Sequence, residues 1–103
     1  MRAYERFLQY VQVDTQSDPF STTTPSTEKQ KNLARALVEE MTRMGMTNVR
    51  MDDTCYVYGE IPATVEGKPT LGLIAHMDTT PDMCGTNVKP RIVEQYDGGV
   101  IPL

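Results

Sequence analysis

The sequence predicts an α/β fold, with two helices packed on a small mixed sheet that includes a hairpin, incomplete by itself. Three observations carry this. Apolar residues recur at helical spacing from Tyr4 to Val11 and again from Leu33 to Met44. Strand-forming residues then flank the turn-forming run Asp52-Asp53-Thr54. Finally, a near-continuous apolar run, Leu71 to Ala75, ends in a polar loop, which is the habit of a strand buried on both faces of an α/β sheet.

Residues 2 to about 12 form the first predicted helix, with Tyr4, Phe7, Leu8 and Val11 on one face. Asp14, Ser17, Asp18 and Pro19 break the period as turn formers. The run 21–25, STTTP, is too polar and too β-branched for a helix and reads as an exposed loop. The second helix starts after Pro25. Ser26 or Thr27 caps it, Thr27 and Gln30 have capping-box spacing, and Glu28 lies where the helix dipole favours negative charge. Leu33, Ala34, Leu37, Val38, Met41 and Met44 line its apolar face, the methionines as core filler. Gly45 stops the helix in a left-handed conformation, and Met46 folds back on the last turn.

Two strands follow, Asn48–Met51 and Tyr56–Ile61, joined as a hairpin. Adjacent aspartates in such a turn read as solvated turn residues rather than metal ligands. Residues 62–69 connect, with Glu66-Gly67-Lys68 at the tip. Thr70–Ala75 is expected as the central strand, buried only where another copy or another segment covers it. Pro81, Asp82, Gly85, Asn87 and Pro90 mark a loop, Arg91–Val93 begins a further strand, and Gly98-Gly99 is a turn. The chain then stops on the apolar run Val100 to Leu103, from which a longer parent protein is expected.

The totals narrow the function. A chain of 103 residues suits one small domain, 1–103. The net charge of −4 and the scattering of the 10 Lys and Arg argue against nucleic acid as a partner. No apolar run approaches the roughly 20 residues that span a bilayer, so no membrane partner is expected. The N-terminal MRAYERFLQYVQ mixes charge into its apolar positions, unlike a signal peptide. Cys55 and Cys84 lie in unrelated contexts and read as two reduced thiols of a cytoplasmic protein.

The chemistry gathers at His76, the single histidine, and Asp78. Residues i and i+2 of a strand point to the same side. Either both side chains meet one metal, or Asp78 holds the imidazole while its other nitrogen binds the metal. The carboxyl end of a strand is where ligands of α/β sheets collect. A catalytic zinc needs three protein ligands and an open position, and no second cluster with ligand spacing exists here. Cys84 has no spacing that recommends it as a partner of His76. The plain alternative is a histidine that is simply hydrogen-bonded at a strand end.

The run His76-Met77-Asp78-Thr79-Thr80-Pro81-Asp82, followed by Gly85-x-Asn87-Val88-x-Pro90, resembles the peptidase T family of cytosolic tripeptide aminopeptidases, within the two-zinc aminoacylase and carboxypeptidase superfamily. Asp14-Thr15-Gln16-Ser17, Pro25-Ser26-Thr27-Glu28 and Gly98-Gly99 extend the resemblance in order over almost the whole chain. His-x-Asp is common to the superfamily. The TTPDxxGxNVxP extension is far more specific.

This resemblance implies the N-terminal portion of a zinc-peptidase catalytic domain. His76 matches a histidine that binds one of two zinc ions, and Asp78 matches the catalytic-site aspartate that orients it. A glutamate acts as general base in such enzymes, and the zinc pair polarises the carbonyl of a tripeptide substrate. The family's remaining metal-binding carboxylates, its general base and a late histidine have no counterpart here. The chain alone is therefore expected to be inactive, to bind zinc weakly or not at all, and to self-associate through exposed strand edges. The competing readings are another two-zinc dipeptidase or deacylase, which the loop after Asp78 disfavours, and a non-catalytic binding module derived from the fold.

Overall fold

A computed structural model describes residues 1–102. It contains four elements: α1 (Ala3–Tyr10), α2 (Gln30–Arg43), β1 (Thr47–Met51) and β2 (Val57–Glu60). The strands are antiparallel, with Arg50 opposite Tyr58 and Met51 opposite Val57. The register shifts between Arg50 and Thr47, where Asn48 adopts φ 52°. Helix α2 lies across both strands. The result is a small α/β unit of one helix on a hairpin, with α1 at its side.

The hairpin forms because Asp52 organises its turn. One carboxylate oxygen, Oδ1, accepts hydrogen bonds from the Thr54 N–H (3.0 Å), the Thr54 hydroxyl (2.8 Å) and the Tyr56 N–H (2.9 Å). These donors, led by the Tyr56 N–H, hold the Asp52 carboxyl below its usual range. The acid is thus occupied as a turn residue, as the sequence suggested. Cys55 takes φ 71° at this turn, and its side chain is buried. Burial pushes its thiol pKa up, with Lys31, Glu28 and Arg35 of the α2 region close enough to act on it.

The core is correspondingly small. Leu33, Ala34 and Cys55 are its buried apolar residues, with Thr15 and Gln30 buried beside them. The C-terminal end of α2 follows the sequence closely. Gly45 has φ 81°, its N–H donates to the Thr42 carbonyl (3.0 Å), and the Met46 N–H donates to the Met41 carbonyl (3.1 Å). These are the two bonds of a Schellman motif. Met41 and Met46 then cover Gly59 of β2, where an added Cβ would lie 3.0 Å from each side chain. The absent side chain is what lets the strand come this close to the methionines.

The other end of α2 corrects the sequence reading. Thr27 and Gln30 do not form a capping box. The chain turns through Thr27–Lys29 with i→i+3 bonds, and no side chain caps Lys29. The Gln30 amide instead donates to both the Ser26 and Thr27 hydroxyls (3.1 and 3.0 Å), so the Thr27 hydroxyl accepts from this side chain rather than from a backbone N–H while its proton goes to the Gln16 carbonyl (2.8 Å).

Helix α1 also departs from expectation. Among the described residues the extended packing on the sheet is by α2, and Tyr4 and Phe7 stay exposed. Polar groups tie α1 to α2. The Arg6 Nε donates to Glu40 Oε1 (2.7 Å), and the Tyr10 hydroxyl donates to Glu40 Oε2. The Tyr10 pKa is pushed up to about 12 from 10.0, first by burial and then by the Glu40 carboxylate. A raised folded-state pKa gives stability that is present below pH 10 and lost as pH rises towards 12. Docking of α1 should therefore weaken across that window. Ultraviolet titration of tyrosinate should show one late-ionising tyrosine, and Tyr10→Phe should remove that late step. An unchanged titration curve in Tyr10→Phe would overturn the assignment.

The expected third and fourth strands are absent among the described residues. Residues 70–75 and 91–93 have no strand assignment. Ile74 is 100% exposed and Leu73 is 89% exposed. A strand of this composition needs neighbours on both edges and cover on both faces, and no described segment lies against it. The sheet is consequently antiparallel rather than mixed, apart from one isolated parallel bridge, Gln16 to Thr79. The radius of gyration is 16.9 Å, against about 13 Å for a compact domain of this length. The excess is consistent with the long, exposed 61–102 stretch. Of the predicted run Val100–Leu103, residue 103 lies outside the described residues and the remainder is irregular.

Candidate functional site

His76 and Asp78 meet. The imidazole Nδ1 lies 3.1 Å from Asp78 Oδ1 and 2.9 Å from the Asp78 carbonyl oxygen. Both oxygens can only accept, since a backbone carbonyl has no proton to give and an ionised carboxylate has none either. Nδ1 must therefore carry the hydrogen, and in the neutral ring Nε2 is left with its lone pair free. Of the two arrangements open from the sequence, the geometry is that of the orienting aspartate. The side chain of His76 is 85% exposed, and Nε2 has no hydrogen-bond partner among the described residues.

The rest of a metal site is not assembled. No group of three His, Cys, Asp or Glu side chains able to hold an ion occurs among the described residues. Asp52 is committed to its turn. Cys84 lies 3.0 Å from the Thr86 hydroxyl, which holds its thiol pKa below the usual value, and it does not join His76 in any such group. Both cysteines are free thiols.

What positions the pair is a clasp between two distant segments. The Thr79 N–H donates to the Thr15 carbonyl (3.1 Å), and the Ser17 N–H donates to the Thr79 carbonyl (2.9 Å). The Ser17 hydroxyl reaches the same carbonyl (2.9 Å). The Gln16 carboxamide donates to the Pro81 and Met83 carbonyls, each at 2.9 Å. Asp14 braces the segment from the other side, accepting from the Gln16 N–H (3.0 Å) and pairing with Lys29 Nζ (2.8 Å). These two contacts, Lys29 first, hold its carboxyl below the usual range. Gly85 passes so close that an added Cβ would sit 2.8 Å from Asp14 Oδ1. Residues from 14–17, 27–29 and 79–83 thus form one hydrogen-bonded unit.

Curated proteins match this chain over nearly its full length. Peptidase T of Geobacillus thermodenitrificans is 56% identical over 100 residues, covering 96% of this chain and 24% of the relative. Peptidase T of Clostridium acetobutylicum is 53% identical with the same coverage. Over this stretch the chain is similar to peptidase T. Peptidase T of Aliivibrio fischeri agrees, at 50% identity over 100 residues. The chain spans about a quarter of the length of the peptidase T relatives it matches. No protein-family model matches it.

Among the residues singled out from sequence, the structure brings His76 and Asp78 together, and Cys84 joins them in no group of three possible ligands among the described residues. Gln16 was legible only as part of a matching motif among turn formers. A long carboxamide amid short turn residues was the available signal, because it can serve backbone carbonyls that its neighbours cannot reach.

Proposed function

We propose that this chain supplies a metal-binding histidine, His76, and its orienting aspartate, Asp78, to a cytoplasmic zinc-dependent aminopeptidase that releases the N-terminal residue of tripeptides. The supporting observation is the Nδ1 contact to Asp78, which leaves Nε2 free inside the run that resembles the peptidase T family. A neutral imidazole nitrogen is a suitable zinc donor, so the residues present fit one coordination position. They do not fit a whole site, because the third and further donors are missing among the described residues. When bound in a complete site, zinc supplies Lewis acidity at the scissile carbonyl.

The residues of this chain do the orienting. Asp78 fixes the tautomer and the ring plane, and the clasp at Thr79 fixes Asp78. No helix among the described residues is long and apolar enough to cross a membrane. The exposed Leu71, Leu73 and Ile74 favour self-association of the isolated chain. Sedimentation showing only monomer would remove that part of the proposal.

The function is tested with the polypeptide as its source makes it. Tripeptide hydrolysis that requires zinc and disappears in His76→Ala is expected. Full activity retained in His76→Ala would overturn the proposal.

A further inference from the structure

We infer that Gln16 is a positioning residue for His76, acting through the loop that follows Asp78. The inference rests on His76 and Asp78 being the functional pair. Residues 70–75, which lead into the pair, have no strand partner among the described residues, so no described strand aims the imidazole from that side. Its orientation comes from Asp78, and the first residue after Asp78 with long-range backbone bonds is Thr79, held by Thr15 and Ser17. Gln16 lies between those two residues and extends their grip two and four residues further, to Pro81 and Met83.

The carboxamide orientation follows from chemistry. Both partners are carbonyl oxygens, so the amide nitrogen must face them and each of its hydrogens serves one. Gln16 is itself fixed at both of its backbone polar groups. Its N–H donates to Asp14 Oδ1, its carbonyl accepts from the Thr27 hydroxyl, and Thr27 stands at the start of the turn into α2. The loop of Asp78 is thereby referenced to the helix that carries the core. Gly85 completes the closure by letting the loop return against Asp14.

The readout is the tautomer of His76 in metal-free protein, from long-range proton–nitrogen NMR correlations above the imidazole pKa. Unmodified protein is expected to hold the proton on Nδ1. Gln16→Met keeps the length and loses both donors. It should lower the ratio of Nδ1–H to Nε2–H by about fivefold, the equivalent of one ordinary hydrogen bond. Gln16→Glu points a carboxylate at two carbonyl oxygens and should lower the ratio further. Amide signals of β1 and β2 should stay in place, which separates loss of aim from loss of fold. If Gln16→Glu unfolds the hairpin, Gln16→Met decides. An unmodified tautomer ratio in Gln16→Met, with the 79–85 signals shifted, overturns the inference and leaves the His76–Asp78 reading standing. A proton on Nε2 in the unmodified protein overturns both.

Discussion

Tripeptides incubated with this chain alone are expected to remain intact at every zinc or cobalt concentration tried. Enzymes lower barriers by about 8–23 kcal/mol, and a metal hydrolase does so with an ion held by three protein ligands beside an open position. Here one exposed imidazole is available, and no group of three candidate ligands exists among the described residues. A metal bound through a single nitrogen exchanges freely with water and is not fixed against any substrate. The chain also spans only about a quarter of its peptidase T relatives. In a source polypeptide of the relatives' length, activity is expected, and His76→Ala should reduce it on the order of a thousandfold, equivalent to several kcal/mol of lost metal assistance. Metal-dependent release of an amino acid by the 103-residue chain, absent in His76→Ala, would contradict this account.

Leu33→Ala is expected to abolish cooperative folding. Truncating a buried leucine costs about 2–5 kcal/mol, through lost transfer energy and the cavity left behind. A large domain survives that loss. This one has Leu33, Ala34 and Cys55 as its buried apolar set, while Leu71, Leu73 and Ile74 contribute nothing to any interior. Stability of a whole domain is only about 5–15 kcal/mol, and a chain with so small a core falls at or below the lower end. The half-buried Leu37 of the same helix is the comparison, and Leu37→Ala should cost visibly less. Thermal melts followed by circular dichroism decide the point. A Leu33→Ala melt within a few degrees of the unmodified chain would mean that the core lies elsewhere.

The elements that sequence revealed are those whose causes are local. Helix α2 follows its own apolar stripe and stops at Gly45 because the left-handed position that ends a helix favours glycine. The hairpin follows from Asp52, which carries its turn bonds within four residues. The contact between His76 and Asp78 follows from their two-residue spacing, although the strand expected to carry it is absent among the described residues and the clasp at Thr79 places it. Features with distant causes were not legible. The apolar run 70–75 has strand composition, but a strand exists only when partners supply its backbone bonds, and composition cannot announce their absence. Thr27 has the right spacing for a cap, but its hydroxyl accepts from the Gln30 carboxamide and donates to a carbonyl 11 residues earlier in the chain. Thr79 looks like the start of a loop and is instead the anchor for Thr15 and Ser17, more than 60 residues before it. The packing of α1 failed for a related reason. Its stripe predicts a buried face, while its attachment comes from Arg6 and Tyr10 gripping Glu40.

The central claim is that Asp78 holds the His76 ring by Nδ1 and presents Nε2 to a metal. Titrating zinc into nitrogen-labelled protein while observing both imidazole nitrogens tests it directly. The account predicts a weak, saturable shift confined to Nε2, with Nδ1 remaining protonated. It also predicts that Asp78→Ala weakens this response by about 10–100-fold, the usual cost of removing an orienting carboxylate. Zinc arriving at Nδ1, or a response that Asp78→Ala leaves unchanged, would contradict it.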